Sequence, residues 1–262
     1  MNENLKYVSI HLIVLLVNAL TVSSVFSQNH ERDGYARLFN GKDLHNWDIL
    51  IDEKGSDRNL FVVENETIHV YANKVDKELH SFGGIVTKKE YNNYILTLEY
   101  KWGTKKFEPR YDFVRDAGII FHMHGEEKIW PNGVECQIQE GDTGDLWAIG
   151  TRVSSTVQNV IRNYSEKGDT ITRGNLEQRF QRFHRAYCWE KPGWNKIEIT
   201  VKEDQALYKI NGKVVNKAID MRYWDEEEDC WQPLKKGKIL LQAEGAEIYY
   251  RNVFIKELKD IK

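Results

Sequence analysis

Residues 113–150 hold the side chains best suited to chemistry. Two runs of alternating apolar and polar residues, Gly118–His124 and Gly133–Gln139, are separated by a turn-rich stretch and followed by a Gly/Asp/Trp segment. Alternation with period two marks a strand with one face buried and the other turned to solvent or ligand. In the second run Val134, Cys136 and Ile138 share one face, and Glu135, Gln137 and Gln139 share the other. In the first, Ile120, His122 and His124 fall opposite Ile119, Phe121 and Met123. Paired, the two strands would gather imidazole, carboxylate and carboxamide groups on one face, rimmed by Trp130 and Trp147. Such a row gives hydroxyls their donors and acceptors and gives sugar faces flat rings, which suits carbohydrate.

The elements that position this row are strands. Leu60–Val63 and Thr67–Tyr71 read as a hairpin, Gly83–Thr87 as a further strand, and Tyr91–Trp102 as a central antiparallel strand. In that last run Tyr94, Leu96, Leu98, Tyr100 and Trp102 share a face. Trp194–Lys202, Ala206–Ile210 and Lys213–Val215 follow as strands, with Asn211-Gly212 as a hairpin turn, and Ile239–Ala243 and Ile248–Glu257 close the chain. Thr151–Pro192 is the least regular stretch, with a strand expected near Val157–Arg162, and Met221–Trp231 reads as acidic and irregular. Many short strands with frequent turns and almost no helical periodicity predict an all-β fold, a two-sheet antiparallel sandwich.

The sequence has 262 residues, 41% of them hydrophobic and 12% aromatic, enough for a sizeable core. Its net charge of −3 argues against a nucleic-acid partner, which would favour a basic face. Lys6, an apolar run over Tyr7–Val22, and Val25 and Ser27 before Gln28 predict a signal peptide over 1–27. An uncleaved anchor is the alternative. Cleavage would leave 28–262 as one domain, exported to the periplasm or cell exterior, with no membrane span. Cys136, Cys188 and Cys230 show no metal-ligand spacing and read as three buried free thiols. The acidic run Asp225–Asp229 reads as a solvated face, and Arg179, Arg182 and Arg185 with His184 point only weakly to an acidic ligand.

With these residues in place the chain resembles the 3-keto-disaccharide hydrolase family, which has a fold similar to concanavalin A-like lectins and glucanases. The matching stretches are LFNGKDLHNW (38–47), YILTLEYKW (94–102), AGIIFH (117–122), WPNGVECQIQEGDTGDLW (130–147), GWNKIEITV (193–201), LYKINGKVV (207–215) and LLQAEGAEIYYRNVFIKEL (240–258). The resemblance implies a jelly roll with its cleft on the concave sheet, export in glycan-degrading bacteria, and hydrolysis of glycosides oxidised at C3. Some members of the family bind carbohydrate without cleaving it. Two departures matter. Phe121-His122 stands where many members have Phe-Arg, and Glu135–Glu140 lacks the central Asp and second cleft-facing Glu of a glucanase strand, which speaks against double displacement.

A C3 ketone acidifies the C2 proton and permits elimination of the C1 oxygen, after which water adds back. That route needs a base near C2, stabilisation of the enolate oxygen and a proton for the leaving group. His122 is the expected base, because imidazole titrates near neutral pH, against the plain reading of a half-buried hydrogen-bonded histidine. Glu135, expensive to bury unless used or paired, is the second expected catalytic group, as acid, base or metal ligand. Gln137 and Gln139 would bind hydroxyls, and His124 would do so unless it is simply a solvated loop residue. Asp145 would orient a sugar or ligate a divalent ion, the one candidate cofactor, although a turn cap is as common. Trp147 would stack on a sugar or fill the core. Arg115 and Asp116, just before the cleft strand, would line the substrate site, with Arg115 stabilising the enolate, against the plain reading of a surface ion pair. Gln242 and Glu244 would complete the cleft.

Overall fold

The computed structural model describes residues 33–52 and 59–259. The expected signal peptide, 1–27, lies outside the described residues. In chain order the strands are β1 (Ala36–Arg37), β2 (Trp47–Ile51), β3 (Phe61–Glu64), β4 (Thr67–Val70), β5 (Gly83–Thr87), β6 (Tyr94–Lys106), β7 (Asp116–His124), β8 (Asn132–Gln139) and β9 (Leu146–Ile149). They continue with β10 (Thr151–Val157), β11 (Asp169–Arg173), β12 (Phe180–Phe183), β13 (Asn195–Lys202), β14 (Gln205–Ile210), β15 (Lys213–Asp225), β16 (Cys230–Pro233), β17 (Lys238–Ala243) and β18 (Ala246–Glu257).

These strands form two antiparallel sheets. One has eleven strands, with the path β11-β10-β15-β14-β13-β6-β18-β4-β3 and with β1 on β18 and β16 on β15. The other has seven, in the order β12-β9-β8-β7-β17-β5-β2. The period-two pattern explains why they stack. Tyr94, Leu96, Leu98 and Tyr100 of β6 share one buried cluster with Ile119 and Phe121 of β7, Val134, Cys136 and Ile138 of β8, and Leu241 of β17. Each strand thereby removes one apolar face from water, which drives the sandwich together.

The hairpin of β15 and β16 occupies the stretch expected to be irregular. Asp225 ends β15 and Glu226–Asp229 form the turn, while Trp224 and Trp231 face each other across the strands with ring centroids 5.5 Å apart. Arg152 lies over Trp231 at 4.4 Å. Cross-strand aromatic pairing and the guanidinium over Trp231 favour the hairpin beside its acidic turn. The strand expected near Val157–Arg162 ends at Val157, and the chain turns there instead. Of the thiols, Cys136 is buried, but Cys188 and Cys230 are exposed, against the expectation of three buried ones. Cys188 lies in the loop before β13 and Cys230 opens β16 beside the acidic turn, so neither has a sheet to cover it.

The second departure is a bulge in β7. Phe121 pairs with Val134 and His124 with Asn132, so three steps on β7 span two on β8. His122, the extra residue, adopts a φ of 50°, a left-handed backbone that histidine tolerates better than most residues. The alternation inverts there. Ile120 and Met123 end up together on the outer face, in a small cluster with Val86, Ile149 and Leu240, and His122 turns inward.

Candidate functional site

The polar row lies on the outer face of the seven-stranded sheet. Register sets its layout: Ile120 stands opposite Glu135, Gly118 opposite Gln137 and Asp116 opposite Gln139 across β7 and β8, and Trp147 of β9 stands opposite Glu135. On the other side of β7, Leu240 of β17 pairs with Ile120, which brings Gln242 level with Gly118. Gly84 pairs with Gln242 from β5. Gln242 thus has a glycine on each neighbouring strand, with the Leu240 side chain covering Gly84 and Glu135 reaching over Gly118. The need for glycine at 118 is steric. A Cβ there would stand 1.9 Å from Glu135 Oε1 and 2.1 Å from Gln242 Oε1. The two side chains meet over that glycine.

Three polar groups in this row lack partners. Among the described residues, Gln242 Nε2 and Oε1 and Trp147 Nε1 are buried without a hydrogen bond, and no side-chain hydrogen bond or ion pair reaches the Glu135 carboxyl. Buried polar groups are nearly always satisfied, so a convergent set of orphans marks a place where a ligand completes the bonding. Burial pushes the Glu135 carboxyl well above the usual carboxylate range, and the nearby Glu244 and Asp116 push it further.

One register step along lies a second polar set. Asp116 accepts hydrogen bonds from Gln137 Nε2, Gln139 Nε2 and Arg110, the Gln139 bond at 2.9 Å. Burial still raises its pKa, against the opposing pull of Arg110. Glu244, just beyond β17, accepts from Trp130 Nε1, and the Trp130 ring packs edge-on against Phe82 at 5.2 Å. Burial and the charge on Asp116 push Glu244 up to about 7. Among the described residues Arg110 is the one cation bonded to this group of three carboxyls.

Several expected site residues stand elsewhere. His122 is the main correction: the bulge swings its ring away from the polar row and into the space between the sheets. There it packs against Phe121 and Tyr94, with ring centroids 5.6 and 6.3 Å away, and its Nε2 lies 3.4 Å from Glu203 O. Burial holds its pKa down at about 4, so it is a neutral core imidazole. His124 follows it off the row, with Nδ1 on His122 O at 3.2 Å and its ring 5.7 Å from Tyr223. Arg115 points to the opposite side of β7 from Asp116. It forks onto Glu140, donates to Gly103 O at 2.8 Å and covers Trp102, so it is not aimed at the row.

Asp145 is spent as well. Its carboxylate is fully buried and takes Arg182, Arg185 and the Arg185 backbone N–H. Among the described residues no group of three or more His, Cys, Asp or Glu side chains is placed to hold a metal ion, and the Asp145 carboxylate is already held by two arginines. Trp147 lies on the outer face beside Ile149 and Leu240 with Arg182 over its ring at 5.6 Å.

Sequence reasoning missed Arg110 and the bond from Trp130 to Glu244. Arg110 sits in a polar turn with no periodicity to betray it, though three carboxyls on one buried face already call for a counter-charge. Gly118 carried a readable signal, since a glycine inside a buried strand marks close approach by another group.

A family profile described as the 3-keto-alpha-glucoside-1,2-lyase-like domain matches residues 34–256. The chain belongs to this family. Membership in the 3-keto-alpha-glucoside-1,2-lyase-like family supports a glycan-directed hydrolase or carbohydrate-binding role. The fold agrees with solved structures. A candidate glycosyl hydrolase from Parabacteroides distasonis superposes with a TM-score of 0.53 at 21% identity, covering 88% of this chain and 97% of that one. A second from the same organism gives 0.52 at 18%, covering 86% and 99%. No curated protein matches the sequence. Among the described residues no helix is long and apolar enough to cross a membrane.

Proposed function

We propose that the protein is a lyase-type glycosidase that cleaves 3-keto-glycosides by C2 deprotonation, elimination of the C1 oxygen and hydration. It acts as one domain, 28–262, in the periplasm or outside the cell after loss of residues 1–27. The observation that carries this reading is the convergence of unpartnered groups over Gly118: the Glu135 carboxyl, the Gln242 carboxamide and, beside them, the Trp147 indole N–H.

Glu135 is the base. A carboxyl raised by burial is a stronger base once ionised than an ordinary one, and its proton is exchangeable closer to neutral pH. The C2 proton beside a ketone is acidic enough for such a group. As it leaves, negative charge grows on the C3 oxygen. Gln242 Nε2 and Trp147 Nε1 are donors already in place and unengaged, so they can stabilise that charge without first breaking bonds of their own. Gln137 and Gln139 hold Asp116 in position, and Trp130 closes the rim. His122 has no part in this chemistry.

The test is a product assay on purified protein with a 3-keto-glucoside and its unoxidised parent. Release of 3-keto-glucose from the oxidised substrate alone supports the proposal. Tight binding of either sugar without product would overturn it in favour of a carbohydrate-binding module.

A further inference from the structure

The Arg179 guanidinium is half-buried, and its hydrogen bonds go to the segment that leads into β8. Nη2 donates to Trp130 O and to Asn132 Oδ1 at 3.2 Å, and Nε reaches the same Asn132 oxygen at 3.4 Å. Among the described residues no carboxylate pairs with it, whereas Arg182 and Arg185 of the same basic cluster are both held by Asp145. A half-buried charge spent on neutral oxygens is costly, so what those bonds hold is informative. The arginine is itself fixed, because the Gly150 N–H donates to Arg179 O at 2.8 Å. Asn132 packs against the same place: a Cβ on Gly150 would stand 2.3 Å from Asn132 Oδ1.

What they hold is a bent piece of chain. Trp130 has a φ of 53°, a left-handed backbone that a bulky residue adopts only when its surroundings impose it. It stands two residues before Asn132, which pairs with His124 at the end of β7. Its indole nevertheless reaches Glu244, past the far end of the six-residue β17, whose Lys238 pairs with Met123. Six residues of strand span about 20 Å. Residues 130–131 therefore fold back over the outer face, across the rows of Glu135 and Gln242. Glu244 and Phe82, which the indole touches, are each two residues from the paired Gln242 and Gly84. Trp147 stands on the other side of Gly118, opposite Glu135. The two indoles bracket the floor where Glu135 and Gln242 meet.

We propose that Arg179 is a positioning residue for the sugar site. It holds residues 130 and 132 in this bent path, which fixes the Trp130 indole as the wall opposite Trp147. A pyranose ring over Gly118 then lies between two aromatic walls, and Arg179 sets how tightly that ring binds without touching it. Loss of the guanidinium frees Trp130 to leave its left-handed backbone, and the wall goes with it. The sugar as ligand rests on the glycosidase reading above; the hold on Trp130 does not.

A double-mutant cycle in dissociation constants tests this. A 3-keto-glucoside is titrated by calorimetry in the Glu135→Gln background, where the substrate stays intact. Trp130→Ala and Arg179→Met should each weaken binding about tenfold or more. Arg179→Met added to Trp130→Ala should cost less than about twofold more, because the residue it acts through is gone. Losses that multiply in the double variant would overturn the proposal, since a purely structural arginine acts whether or not the indole is present. An Arg179→Met that binds like its parent would overturn it too. Should Arg179→Met not fold, Arg179→Lys, which keeps the charge and loses the fork, enters the cycle instead. A second readout needs no ligand. With 5-fluorotryptophan incorporated, the Trp130 line, identified by its absence in Trp130→Phe, should shift or broaden in the arginine variant. An unmoved line would overturn the hold on Trp130. A wild type that binds the 3-keto-glucoside without releasing 3-keto-glucose would overturn the lyase reading alone, and the cycle would still decide the role of Arg179. A parent that binds no 3-keto-glucoside would overturn the sugar wall, and the fluorine line would still report what holds Trp130.

Discussion

A methyl group added to Gly118 would collide with the two oxygens that meet above it, at 1.9 Å from Glu135 and 2.1 Å from Gln242. Gly118→Ala is therefore expected to displace both side chains. Overpacking of this kind costs about 1–3 kcal/mol, so the variant should fold with a lowered Tm and lose nearly all turnover. A fully active Gly118→Ala would remove these residues from the site. Acidity belongs to the same scale. The rate should climb with pH only above the ordinary carboxylate range, because Glu135 must first lose a proton that burial makes it hold. That limb belongs to the coupled carboxyl cluster, and a kcat/KM profile that rises near 4 would contradict it. The face shared by Glu135, Gln137 and Gln139 was legible from period-two spacing alone. Arg110 was not, because a side chain reaching in from an irregular turn leaves no periodic trace.

The bulge in β7 governs the element scale. Alternation counts residues, and a single residue of left-handed backbone inverts every assignment beyond it. That is why His122 and His124 read as members of the polar row and are not. Nothing in Ile-Ile-Phe-His-Met-His announces the bulge, although histidine is more tolerant of positive φ than the β-branched residues before it. The consequence is measurable through stability. A histidine at about 4 when folded and about 6.5 when unfolded takes up its proton more readily in the unfolded chain between those values. Its contribution is complete above about 6.5 and is lost as pH falls towards 4. Glu244 has the opposite sign, since a raised carboxyl loses stability as pH rises from its ordinary value to about 7. A comparison with His122→Asn isolates the first effect. The stability gap between wild type and His122→Asn should narrow by about 3 kcal/mol from pH 6.5 to pH 4 in denaturant titrations. A gap independent of pH would place His122 in contact with solvent.

At the scale of the whole molecule the sequence was most informative. Strand after strand of period-two pattern, with Tyr91–Trp102 the longest, led to the sandwich, because burying one face of each strand leaves few other arrangements. Exposure at loops and turns was harder to foresee, as the thiols illustrate. Cys136 lies in the core, with its thiol pushed well up by burial, whereas Cys188 and Cys230 are exposed. A disulfide reagent should modify two thiols in the folded protein and the third only on unfolding. Three slow thiols would contradict the placement of those loops.

The account turns on proton abstraction by Glu135 on the outer face of the seven-stranded sheet, and exchange at C2 reports that step directly. A 3-keto-glucoside would be incubated in D2O with wild type, Glu135→Gln and His122→Asn, and deuterium at C2 of unreacted substrate and of product followed by NMR. Wild type and His122→Asn should both introduce deuterium, and Glu135→Gln should be slower by about 10²–10⁴-fold. Exchange that survives in Glu135→Gln and vanishes in His122→Asn would contradict the account and return the base to the histidine.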